Sequence, residues 1–177
     1  MHVAAKRIAV LGLSMALAII LIVLSGIIEV NTFFLLAAAS FFTGIAIYEF
    51  GVGSGAAFCA GSVLLGFILA PNKFYVITYF GLSFYILAVE FVWKVLFKQN
   101  YSKKNRSIVL VLKFVLFNIL YIPVLWFFPS MLLTVKMSTP MFLLLLLGGQ
   151  LILLVYDKAY EYFMVHYWIK FRRRLGL

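Results

Sequence analysis

The sequence predicts an all-α integral membrane protein, a six-transmembrane-helix bundle with both termini cytoplasmic. Three observations predict it. Of 177 residues, 66% are hydrophobic and 11% are charged. Soluble domains run about 45–50% apolar and about 25% charged, so there is too little polar sequence here to cover a water-facing surface. Six apolar stretches approach the roughly 20 residues that cross the hydrocarbon as a helix. The 15 Lys and Arg residues also fall very unevenly on the two sides those stretches define.

Taken in order, the first span runs from Ile8 to Ile28 and the second from Thr32 to Tyr48. The third runs from Gly53 to Ala70, the fourth from Phe74 to Phe97 and the fifth from Ser107 to Phe128. The sixth begins at Pro140 and continues at least to Tyr156, with Ser138 or Thr139 placed to cap it and Pro140 suited to its first turn. Polar or turn residues bound each span: Glu29–Asn31, Glu49–Gly53, Pro71–Lys73, Gln99–Arg106 and Pro129–Thr139. Residues 1–177 read as one transmembrane domain. Residues 157–177 form an interfacial extension of the last helix, mixing Tyr160, Tyr162, Phe163, Tyr167, Trp168 and Phe171 with a terminal Arg cluster. The first span has no small-residue cleavage site in a polar flank, so a removable signal peptide is not expected.

Cations favour the cytoplasmic side of a membrane protein. With the N-terminus inside, the inner segments hold Lys6, Arg7, Lys94, Lys98, Lys103, Lys104, Arg106, Lys113, Lys158, Lys170, Arg172, Arg173 and Arg174, while the outer segments hold Lys73 and Lys136. The formal net charge of +10 is therefore read as orientation and contact with anionic lipid headgroups, not as nucleic-acid binding.

Catalytic chemistry finds no support. The sole aspartate is Asp157, which excludes an intramembrane aspartate pair, and residues 52–56 read Val-Gly-Ser-Gly-Ala, not a Gly-x-Ser-x-Gly elbow. No phosphate-binding loop is present, and the single cysteine, Cys59, excludes cysteine metal motifs. No enzyme, catalytic residue, metal or cofactor is expected.

Small residues carry the remaining signal. The third span places Gly53, Ala57 and Gly61 on one face at four-residue spacing, and the first span carries two interleaved pairs, Gly12/Ala16 and Ser14/Ala18. Small faces let helix backbones approach closely in lipid. Within later spans, Lys113 lies near enough to the inner side to snorkel, and Asn118 and Gln150 are mid-span polar residues. Gln150 follows Gly148-Gly149, which points to backbone crowding and a helix-to-helix hydrogen bond.

On the outer side the polar and aromatic residues are Glu29, Asn31, Asn72, Lys73, Tyr75, Tyr79, Trp126 and Lys136. Few polar groups among aromatics is the composition of a ligand site. Asn72 is placed to cap the fourth span, Lys73 to hold an anion, and Tyr75 and Tyr79, one turn apart, to stack on a flat ligand.

The whole-chain pattern, with Gly12-Leu-Ser-Met-Ala16 and Ser14-Met-Ala-Leu-Ala18 in the first span, resembles the substrate-binding S components of energy-coupling factor (ECF) transporters. The small pairs stand where that family typically has Ala-xxx-Ala. The resemblance implies a vitamin-like small-solute binding subunit of a bacterial cell membrane. It also implies that Gly12, Ser14, Ala16 and Ala18 dock on a shared transmembrane coupling subunit carrying ATPases. The alternative from the residues is a non-transport multispan scaffold of cell-envelope or cell-shape machinery. An enclosed outward cavity with polar lining would favour the first; a filled bundle with an exposed small-residue groove would favour the second.

Overall fold

The computed structural model describes residues 2–96, 103–127 and 139–175. Among these, six helices are long and apolar enough to cross a membrane, over Ile8–Ser25, Thr32–Phe50, Val52–Leu69, Lys73–Lys94, Ile108–Trp126 and Pro140–Arg173. The described residues thus hold helices and no strand, and the protein is of multi-pass membrane type. Where a single domain is the expectation from sequence, the contacts divide the chain into two compact units, residues 1–92 and 93–177.

In the first unit, α1 (His2–Ser25) leads through a 3-10 turn (Glu29–Asn31) into α2 (Thr32–Phe50). The Ser25 hydroxyl donates back to the Ile22 carbonyl at 2.7 Å, and the Thr32 hydroxyl donates to the Ser25 carbonyl at 3.0 Å. This satisfies carbonyls that the end of a helix leaves open. A single residue, Gly51, joins α2 to α3 (Val52–Leu69); its φ of 90° is one that only glycine adopts without strain. Ala70, extended before Pro71 as the proline ring requires, ends α3. Asn72 then caps α4 (Lys73–Leu96), its side-chain oxygen accepting the Phe74 N–H at 3.0 Å.

The core of this unit joins Ala18, Ile19 and Ile22 of α1, Leu36, Ala39 and Ala46 of α2, Phe58 of α3, and Val76 and Tyr79 of α4. Lipid is as apolar as leucine, so burial itself gives little driving force here, and close packing and interhelical hydrogen bonds matter more. Close packing is visible at two glycines. A β-carbon at Gly55 would overlap the Ile47 side chain, and one at Gly66 would lie 3.2 Å from Val76.

The second unit contains α5 (Lys103–Phe127) and α6 (Thr139–Tyr162), which pack on each other. α5 tolerates Pro123 in its last turns, as membrane helices do where neighbours can re-satisfy the freed backbone. α6 continues without a break through a π-helical segment (Phe163–Trp168) into α7 (Ile169–Leu175). Its 34 apolar-rich residues from Pro140 to Arg173 span about 50 Å at 1.5 Å per residue. The hydrocarbon is only about 30 Å thick, so this helix is longer than a perpendicular crossing needs.

Candidate functional site

Two polar arrangements and one open surface are the candidates. The first arrangement is a set of hydroxyls inside the four-helix unit. Thr43 of α2, Ser62 of α3, and Tyr79 and Ser83 of α4 are each wholly buried. The Ser62 hydroxyl and the Tyr79 phenol are 2.7 Å apart, and the Thr43 hydroxyl donates to Ser83 at 3.3 Å. Ser62 also donates to the Phe58 and Cys59 carbonyls. The set therefore ties α2, α3 and α4 together by satisfied bonds.

This corrects the expected outer site at its centre. Tyr79 points into the core at 0% exposure rather than outward to stack on a ligand. The physical reason is Ser62, whose hydroxyl offers the phenol a partner inside an otherwise apolar interior. Tyr75 is half-buried and packs against the same core. Asn72 spends its side-chain oxygen on the α4 cap, and the Lys73 ammonium donates to the Ala70 carbonyl at 2.8 Å, closing the end of α3. Asn31 is exposed, Glu29 sits in the 3-10 turn, and Trp126 is exposed near the end of α5 in the second unit. Lys136 lies outside the described residues. The first unit does gather its α1–α2 and α3–α4 connections at one end, since a β-carbon at Gly26 would lie 2.7 Å from the Pro71 ring.

The second arrangement is a ladder between α5 and α6. Lys113 pairs with Asp157 at 2.8 Å and with Glu161 at 2.9 Å, and Lys158 pairs with Glu161 at 3.1 Å. Two to three turns along, Gln150 donates to Asn118 at 2.9 Å and Asn118 donates back to Gln150 at 3.3 Å. Tyr121 then donates to the Leu145 carbonyl at 2.9 Å. Its ring lies so close to Gly149 that a β-carbon there would overlap it. The helix-to-helix hydrogen bond and the crowding expected at Gly148-Gly149-Gln150 are both present, the crowding at Gly149. Lys113 is held between two carboxylates of α6. A lysine inside a span is costly without a counter-charge, and Asp157 and Glu161, four residues apart on α6, supply two.

The open surface involves the small residues. The expected docking set on α1 splits by burial. Ser14 and Ala18 face the core, Ala18 at 0% exposure, so they are not a docking face. Gly12 and Ala16 are exposed, and a β-carbon at Gly12 would meet nothing within 4 Å. The expected α3 face splits too. Gly53 and Ala57 are open, together with Ala56 and Ala60, while a β-carbon added at Gly61 would lie 3.0 Å from the Met15 methyl of α1. The buried seam of α3 is instead Gly55, Cys59, Ser62 and Gly66. The Met15–Gly61 contact fixes the register. Gly12 lies one turn before Met15, and Ala57 one turn before Gly61. Small open residues of two packed helices therefore flank one contact line and mark a shallow furrow between α1 and α3.

In the second unit an open apolar depression runs along α5, lined by Val111, Phe114, Val115, Asn118, Ile119, Ile122 and Pro123.

No known family model, curated protein or solved structure matches the chain.

Proposed function

We propose that this protein is a non-enzymatic multi-pass membrane subunit whose work is to dock a transmembrane helix of a partner protein in the furrow between α1 and α3. The observation that carries this reading is the split of small residues on both helices. One set is consumed by packing. The other, Gly12 and Ala16 with Gly53, Ala57 and Ala60, is left exposed. Lipid chains do not require small residues, but a helix backbone approaching closely does.

Two versions of this reading share the furrow. In the scaffold version the partner belongs to envelope or shape machinery and no solute is bound. In the transporter version, the one the ECF S-component resemblance implies, the partner is a coupling subunit with ATPases and a small solute binds at the Gly26–Pro71 end. The engagement of Asn72, Lys73 and Tyr79 within the unit itself favours the scaffold version. A bacterial plasma membrane and a cytoplasmic N-terminus belong to both versions.

Replacing Ala16 by Trp fills the furrow from its edge without touching the core. The variant is expected to keep its helix content and thermal midpoint while losing at least tenfold of the co-purifying partner. Undiminished co-purification with Ala16→Trp would show that the furrow is not the docking face. Native mass spectrometry of the parent protein separates the versions, since a stoichiometric small molecule selects the transporter.

A further inference from the structure

The charges on and against the α6–α7 helix fall into two groups. Lys113, Asp157, Lys158 and Glu161 form a closed set of two cations and two anions, joined by ion pairs of 2.8, 2.9 and 3.1 Å. Such a set is tolerated at the hydrocarbon edge because its members neutralise one another. From Tyr162 to residue 177 the chain has no acidic residue, yet it carries Lys170, Arg172, Arg173 and Arg174.

Exposed rings lie between the neutral set and the cations. Tyr162 stacks on His166 at 4.3 Å and Phe163 on Tyr167 at 6.2 Å, and Tyr167 and Phe171 are 60% and 53% exposed. The π segment matters here. Tyr160 and Trp168, eight residues apart, are both buried. An α-helix would rotate them about 80° apart, whereas the wider π turn brings them back toward one line. The segment thereby holds one line of the helix covered and keeps the aromatic-basic side outward.

Rings followed by a run of cations is the order of a membrane–water interface, with rings at the headgroup level and cations at the phosphates. Depth agrees. At a tilt of about 20–40°, a helix entering at Pro140 leaves about 30 Å of hydrocarbon between roughly Glu161 and His166. Lys170 and Arg173 then follow within about one to three turns, and their long side chains reach back toward the lipid.

We infer that Lys170 and Arg173, one turn apart on α7, with Tyr167 one turn before Lys170, form a site for the headgroup of an anionic phospholipid in the leaflet where α6 emerges. A cation near an anionic surface contributes about a fivefold gain in partitioning, and salt screens it. The test uses the full chain, with phosphatidylglycerol and phosphatidylcholine in equal amounts competing for it and the retained lipid counted by native mass spectrometry. The parent protein is expected to prefer phosphatidylglycerol, and the preference is expected to fall steeply as salt is raised. Lys170→Gln/Arg173→Gln, checked for helix content by circular dichroism, should lower the preference at least fivefold. Lys73→Gln, in the first unit, should leave it unchanged. A preference indifferent to salt, or one equal in the double variant and the parent, overturns the site. Absence of any preference in the parent also overturns it and assigns the basic end to an acidic protein partner.

Discussion

Tyr79 sets the terms at the scale of single residues. From sequence it is an aromatic near the outer end of a span, one turn from Tyr75, and nothing local distinguishes a belt residue from a core residue. Its fate is decided by Ser62, 17 residues away on another helix. Periodicity along one helix cannot show such a partner. Replacing Tyr79 by Phe keeps the ring and removes one buried bond. The expected cost is about 0.6 kcal/mol, and at most about 1.7, the range for interhelical hydrogen bonds in membranes. Steric-trap or detergent unfolding measures it, with Tyr75→Phe as the near-neutral comparison. Gln150 is the opposite case: its neighbours Gly148-Gly149 announce a close approach in the sequence itself, and the Asn118 partner is the nearest mid-span polar residue available.

Among the elements, the spans were legible because their apolar length is a property of contiguous residues. The helices outrun the spans, α1 beginning at His2 rather than Ile8 and α5 at Lys103 rather than Ser107, since the sequence marks where hydrocarbon ends but not whether a helix ends with it. Which face of a span turns inward was not legible. In lipid both faces are apolar, and the amphipathic stripe that orients a soluble helix is absent. That is why the small residues of α1 and α3 were grouped across faces that the structure separates. The α5–α6 ladder gives a sharper prediction. Lys113→Met leaves Asp157 and Glu161 without their shared cation. Breaking a fully buried pair costs about 3–5 kcal/mol. Glu161 is half-exposed and keeps Lys158, so about 2–3 kcal/mol is expected. Adding Asp157→Leu should recover most of the loss. A double-mutant cycle on the unfolding midpoint checks both statements, and additive losses would deny the coupling.

For the molecule as a whole, the thirteen-to-two division of cations predicts the orientation. With Cys59→Ala as background, cysteines placed at Lys73 and Lys103 are expected to label from opposite sides. An impermeant reagent on intact cells should reach position 73 and spare 103; the reverse pattern inverts the topology. Function was the least legible level, because it rests on surfaces left open after packing, and packing had to be known first. The furrow between α1 and α3 is therefore the claim on which the account stands. Its most direct measurement places a photo-crosslinking amino acid at Ala16 or Ala57 in native membranes, with Leu144, an exposed bulky position on α6, as the reference. Docking there predicts one discrete protein adduct of the same mass from positions 16 and 57, and lipid adducts alone from 144. Lipid adducts alone at all three positions, or the same protein adduct at all three, would contradict it.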